Sequence, residues 1–426
     1  MIKTINSLID FLKTKTMLRQ VSYWAIIILF ALYVFSIPSF SGRAKWNLIS
    51  YALMGLFLAL VIFYTTVYSK WSFNKKLLIP SLFVGVAFLG TTFYSHSFIG
   101  TSGKIGWTSL VLMLLTLFSF YYAFVIINNP TLILKIIVLA FFAFAIYFTI
   151  IYRSSIIRFQ INSSRLGGYF DGINAIGFYF SLNFVFSLYL GLFFKKKREL
   201  LYLATAIVFL FLGLFTGSRA FLVCSLIGTI VVTFVRLRKR LLLFFIILGV
   251  LVALILILVN IPQLAYLKDQ LDRALYTLFG IGNSKLDTST IQRVLWPRYA
   301  FYLASKNLIF GLGVEGFGEF SGIGTYAHNN FAEVICDFGI IGFVLYYLAF
   351  LYPLILSVNK GGEKRIIQII VFLYIIRSFF GIIYYSKESY LALAFCFYLT
   401  KDYSIKDIVI INKRKEQSEV YYELAI

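Results

Sequence analysis

Residues 107–152 read WTSLVLMLLTLFSFYYAFVIINNPTLILKIIVLAFFAFAIYFTIIY, and only Lys135 among them is charged. The stretch divides at Asn128-Asn129-Pro130, a tight turn. On either side lie two apolar runs, 107–127 and 132–152. Each has roughly the 20 residues that a helix needs to cross the ~30 Å hydrocarbon core of a bilayer. The pair reads as a transmembrane helical hairpin, and its neighbours in the chain repeat the pattern.

Working outward, similar runs fall at 21–40, 47–68, 77–95, 173–194, 200–216, 220–235, 241–261, 330–357, 366–384 and 389–400, the last being short. The expected fold class is therefore all-α: a polytopic membrane protein with about twelve transmembrane helices and one long outer loop. Composition agrees. Of 426 residues, 61% are hydrophobic and 13% charged, where soluble domains are about 45–50% apolar and about 25% charged. The expected organisation is a cytoplasmic amphipathic N-terminus at 1–20, spans one to nine over 21–261, an extracytoplasmic loop over 262–328, spans ten to twelve over 329–400, and a cytoplasmic tail at 401–426. Within the first segment Ile2, Ile5, Leu8, Ile9 and Leu12 share a helical stripe that would lie on the inner membrane surface. No small-residue cleavage site follows the first apolar run, so it reads as a span and not as a cleavable signal.

The net charge is +22. Placing the N-terminus inside puts 24 of the 39 basic residues on the inner side and 14 outside, six of these in the one long loop. That asymmetry is the positive-inside pattern, so topology accounts for the charge. No nucleic-acid-binding motif accompanies it, and nucleic acid is not an expected partner. Cys224, Cys336 and Cys396 all lie in apolar runs, an odd count with no CxxC pair, so they read as buried small side chains. No internal repeat is visible, which weighs against a carrier built from two related halves.

Four polar constellations fall on the expected outer side. In Thr216-Gly217-Ser218-Arg219, Ser218 can cap the helix that follows, and an arginine beside a helix N-terminus suits an anion. Gln292-Arg293-Val294-Leu295-Trp296-Pro297-Arg298 brings two more arginines, with Pro297 expected in the first turn of a helix. For each, phosphate binding and ordinary contact with lipid headgroups are both open. Ala327-His328-Asn329-Asn330-Phe331-Ala332-Glu333 stands where the long loop returns to the membrane, with Asn330 and Glu333 at capping-box spacing. There the helix dipole would hold His328 neutral, the state a general base needs, although a lone histidine is more often structural. Arg153, Arg158 and Arg165 form a fourth basic segment, leading into Gly167-Gly168-Tyr169-Phe170. The run Gly311-Leu312-Gly313-Val314-Glu315-Gly316-Phe317-Gly318 follows no parallel strand and opens no βαβ unit. It reads as backbone for a tight loop and not as a dinucleotide fingerprint. No Asp-x-Asp, P-loop, His/Cys cluster or Gly-x-Ser-x-Gly elbow occurs, so neither a metal nor an organic cofactor is expected. Ionisable residues inside the spans are few: Glu333, Asp337 and Arg377.

The order of these pieces resembles the O-antigen polymerase and ligase superfamily. The resemblance rests on Arg165 to Asn174, Gly217-Ser218-Arg219, Gln292-Arg293 with Trp296 and Ala300, Gly311 to Phe317, and His328-Asn329-Asn330 leading through Glu333 to Gly342, and it spans roughly Arg165 to Leu356, about 190 residues. It implies a GT-C-like integral membrane glycosyltransferase of the bacterial cytoplasmic membrane, metal-independent and working on the outer face. The donor it implies is a glycan on undecaprenyl pyrophosphate, and the acceptor a second glycan. Carried over by position, Arg219 and Arg293 would bind the pyrophosphate and His328 would activate the acceptor hydroxyl, with Arg298, Arg165, Asn329 and Glu333 as helpers. A polymerase of lipid-linked repeat units is the leading expectation, with a flippase and a chain-length regulator as candidate protein partners. The alternatives are a ligase delivering finished glycan to a lipid, protein or wall acceptor, and a transporter of polysaccharide or lipid carrier.

Overall fold

The computed structural model describes residues 2–39, 44–69, 74–94, 106–157, 166, 169–170, 172–193, 200–237, eight positions between 241 and 253, 265–279, 288–358 and 364–401. Among them helix dominates and no strand occurs. The helices are α1 (Ile2–Ser39), α2 (Ala44–Tyr68), α3 (Leu78–Tyr94), α4 (Trp107–Ile127), α5 (Pro130–Ile151), α6 (Arg153–Ile157), α7 (Ile173–Phe193), α8 (Leu200–Phe215), α9 (Arg219–Leu237), α10 (Ala265–Phe279), α11 (Thr288–Lys306), α12 (Gly316–Phe320), α13 (Asn330–Ser357), α14 (Arg365–Arg377) and α15 (Lys387–Leu399).

Eight helical segments among the described residues are long and apolar enough to cross a membrane: within α1 to α5, α7, α9 and α13. The opening hairpin is as read. Asn128 takes a left-handed conformation to end α4, and the Asn129 side chain accepts from the Leu132 amide to begin α5 at Pro130. Other expectations change. The amphipathic N-terminus and the first span are one 38-residue helix. The expected span at 241–261 lies largely outside the described residues. The spans expected at 366–384 and 389–400 are helices of 13 residues each. Such a helix is about 20 Å long, short of the hydrocarbon thickness. The run 366–384 is apolar apart from Gln368, Arg377 and Ser378, and its helix stops at Arg377; the Phe379 and Phe380 amides then donate to the Ile376 and Arg377 carbonyls in tighter turns that lead to Gly381 at φ +153°.

Two helices are wrapped on all sides. α7 packs against α5, α8, α9 and α14, and α15 packs against α4, α13 and α14. A helix apolar around its whole circumference belongs in such a position. Peripheral helices turn apolar side chains outward, as at Leu48 and Leu201, which are 71% and 69% exposed; in lipid that exposure carries no penalty. Contact between helices uses small residues, since lipid offers no hydrophobic drive for association. Gly177 of α7 lies against Ser218 and Phe221, and Gly213 of α8 lies under the Phe221 ring, where a Cβ would overlap it.

α13 is broken in its middle. Gly339 has φ +62° and ψ −169°, which frees backbone groups on both sides. The segment 308–313 docks there. Leu312 and Gly313 amides donate to the carbonyls of Cys336 and Asp337 at 2.9 and 2.8 Å, and the Ile340 amide donates to Leu308 at 2.7 Å. Irregular backbone is tolerated at such depth where protein covers it and satisfies its groups. The glycines make the approach feasible: a Cβ on Gly311 or Gly339 would overlap the opposing main chain. Asp337 Oδ1 then accepts the Phe317 amide, and Oδ2 accepts from the Tyr384 hydroxyl, both at 3.0 Å. Thr91 of α3 accepts the Val314 amide at 3.0 Å. The loop that precedes His328 is thus fastened to α3 and α13, and Tyr384, from the segment before α15, braces the Asp337 carboxylate that holds it.

Candidate active site

His328 sits one residue before the N-cap of α13, in a left-handed conformation with φ +59°. For a non-glycine residue that conformation costs about 1–2 kcal/mol, and bonds on either side hold it. Before it, Glu333 Oε2 accepts the Ala327 amide at 2.6 Å. After it, Asn329 Oδ1 accepts the Ala332 amide at 3.1 Å. The capping box anticipated from Asn330 and Glu333 is therefore not formed: Asn329 is the cap, and Glu333 reaches Ala327, two residues before that cap.

Asn330, freed from capping, ties three segments together. Its amide donates to the Ser378 carbonyl at 2.7 Å. Its Oδ1 accepts from the Ile383 and Tyr384 amides at 2.8 and 3.2 Å. Its Nδ2 donates to the Tyr347 hydroxyl at 2.9 Å. The start of α13 and the end of α14 are thereby fixed to each other.

α11 supplies the ceiling. Arg293 and Trp296 are three apart and share a helix face. The Trp296 ring stacks on His328 with centroids 5.2 Å apart and planes 12° apart; Tyr326 closes the edge at 4.4 Å. His328 Nδ1 is buried with no hydrogen-bond partner among the described residues. Burial first, and the Arg293 guanidinium second, push the His328 pKa down to about 4. Both act against an added positive charge. Burial and the arginine thus favour the neutral ring near pH 7. Arg293 itself is 9% exposed. α11 starts at Thr288, so Pro297 lies within it and not in its first turn. Having no N–H, Pro297 cannot donate to the Arg293 carbonyl one turn earlier.

Arg219 opens α9 and is 2% exposed. Its turn is built as the sequence suggests: Gly217 has φ +57°, and Ser218 Oγ accepts the Phe221 amide at 3.3 Å and donates to Asn174 Oδ1 at 3.4 Å. Next to it, Ala220 and Val223 cluster with Phe380 of the turn after α14. Through that turn Arg219 shares the end of the bundle that carries His328. Arg298 is exposed, on a different face from Arg293 and Trp296, so the structure does not bring that expected helper to the histidine. Arg165 lies outside the described residues. Trp296 and Tyr326 were not singled out as site residues; two aromatics flanking a chain's rare histidine were the available signal. Among the described residues no three His, Cys, Asp or Glu side chains cluster as a metal site would require.

These features define an all-α, polytopic membrane protein with a histidine–arginine site where a long loop returns to the bundle. The family model described as O-antigen ligase matches residues 204–347, from α8 into α13, a stretch that contains Arg219, Arg293 and His328. The match supports the O-antigen polymerase and ligase superfamily. No curated protein matches the chain.

Proposed function

We infer that the protein is a polysaccharide polymerase, transferring a glycan from undecaprenyl pyrophosphate onto the next lipid-linked repeat unit at the outer face of a bacterial cytoplasmic membrane. The family match supports glycan transfer of the polymerase or ligase type; the direction of transfer and the lipid are this reading's own. The observation that carries it is His328 held neutral and half-buried between Trp296 and Tyr326, within the field of Arg293.

In this reading His328 accepts the proton of the acceptor hydroxyl, and the oxygen attacks the anomeric carbon. The sugar–phosphate bond breaks, and undecaprenyl pyrophosphate leaves with the bonding electrons. Charge then grows on the leaving group, where Arg219 and Arg293 stabilise it without reorganising. With a pKa of about 4 the ring is a weak base alone. A bound pyrophosphate would offset the field of Arg293 and make the ring more basic once the donor is in place. Asn329 and Glu333 position the ring through their backbone bonds, and the fixed arginines do the work a divalent metal would otherwise do.

The test uses purified protein in nanodiscs with lipid-pyrophosphate-linked repeat units and EDTA, resolved by gel. A ladder from wild type that disappears in His328→Ala, Arg219→Ala and Arg293→Ala is the expected result. The description of the matching family favours a second reading, ligation of a finished glycan. It would appear as one transfer to an added acceptor and no ladder. No product with either acceptor overturns both.

A further inference from the structure

Arg377 closes α14 and is 5% exposed. Its guanidinium lies over the Phe178 ring, 5.5 Å from the centroid. A Cβ at Gly381 would come within 3.0 Å of its Nη1, so the glycine lets the chain pass close to that nitrogen. Nε and Nη1 are buried with no hydrogen-bond partner among the described residues, and no described carboxylate forms an ion pair with it. Glu388, which shares Tyr374 as a neighbour, accepts instead from the Tyr179 hydroxyl at 3.3 Å.

A guanidinium does not discharge at any physiological pH. Burying it uncompensated costs more than one ring contact offsets. A structural arginine would be expected to spend its donors on carbonyls or carboxylates, and two of the donors here are unspent. Its place is as telling as its chemistry. The adjoining Ser378 carbonyl accepts the Asn330 amide, two residues past His328. The flanking Ile376 and Phe380 pack with Ala220 and Val223, beside Arg219. The backbone at Arg377 therefore lies between the histidine segment and the start of α9, with the guanidinium over Phe178 of α7.

We propose that Arg377 is a third anion ligand of this site and takes two separate phosphate oxygens of the lipid-linked donor, one through Nε and one through Nη1. The proposal rests on the pyrophosphate reading of Arg219 and Arg293. Nε–H and Nη1–H point to opposite edges of the planar guanidinium, so together they can hold two separate oxygens, an arrangement the single nitrogen of a lysine cannot reproduce.

The experiment measures binding to the full chain in phosphatidylcholine nanodiscs, with undecaprenyl pyrophosphate, undecaprenol and phosphatidylglycerol as separate probes. Arg377→Gln is expected to weaken undecaprenyl pyrophosphate about 10- to 100-fold, the worth of a charged hydrogen bond, and to leave undecaprenol unchanged. Arg377→Lys should fall between Gln and wild type. If the Gln variant does not fold, the Lys variant decides: wild-type affinity for undecaprenyl pyrophosphate overturns the proposal. Wild-type affinity in Arg377→Gln, with Arg219→Gln weakened, also overturns it and leaves the wider reading standing. An equal loss for phosphatidylglycerol assigns Arg377 to ordinary headgroups and overturns it too. If wild type binds undecaprenyl pyrophosphate no better than undecaprenol, the reading of Arg219 and Arg293 fails and this inference goes with it.

Discussion

Glu333→Ala is expected to cripple turnover without touching the donor. The carboxylate accepts the Ala327 amide at 2.6 Å, immediately before a histidine held at φ +59°. Removing it leaves a buried N–H unpaired, at about 1–3 kcal/mol. That support opposes the intrinsic preference of His328 to leave the left-handed region, about 1–2 kcal/mol. A net loss of 1–2 kcal/mol lowers the population of the held conformer about 5- to 30-fold. Because the arginines are untouched, the loss falls on kcat, with the donor KM near wild type. The assay is glycan transfer in nanodiscs for Glu333→Ala, Glu333→Gln, His328→Ala and the Glu333→Ala/His328→Ala double variant. Gln keeps an acceptor oxygen and should lose less than Ala. If Glu333 acts through His328, the double variant is no worse than His328→Ala alone, a non-additivity that marks a shared role. Losses that multiply, or an effect confined to KM, would refute the positioning argument.

Two further outcomes follow from the same geometry. The folded-state pKa of His328 is lowered from 6.5 to about 4. Between those values the unfolded chain takes up a proton that the folded chain does not, so stability falls as pH drops through that window. A scan of Tm from pH 7 to 4 should therefore decline less steeply for His328→Gln than for wild type, and parallel slopes would contradict it. Gly339→Ala should lose at least about 2 kcal/mol, through a left-handed φ forced on alanine and a Cβ driven into Ile309. Lower Tm and faster proteolysis at 308–313 are the readouts, and unchanged values would mean that segment is held by something else.

How far the sequence reached depended on the range of each interaction. Spans such as 107–127 and 130–151 were legible because transfer into lipid is summed along the chain, and both residues that shape their turn are local. Hydropathy cannot register a break, so 366–384 read as one span although its helix ends at Arg377. Pro297 was expected to open a helix because that is where proline is cheapest; here the helix begins nine residues before it. His328, Arg219 and Arg293 stood out as polar residues in an apolar chain. The shift of the cap from Asn330 to Asn329 did not, since Asn330 is claimed by the Ile383 and Tyr384 amides more than fifty residues on. Arg377 was visible as a charge in a span. Nothing local said that its guanidinium would lie over Phe178 with two donors unpartnered among the described residues.

The ladder between 308–313 and the broken α13 is made of main-chain groups. Main-chain bonds prescribe a path and leave side-chain identity largely unconstrained, except at Gly311, Gly313 and Gly339, where a Cβ would overlap opposing main chain or crowd it. Leu308, Ile309 and Phe310 are 52%, 56% and 41% exposed on that path. Drift at those three positions can alter what the loop meets while the anchor beneath stays intact. Diversification of the loop is thereby uncoupled from the integrity of the bundle, with three glycines as the fixed points about which it can vary.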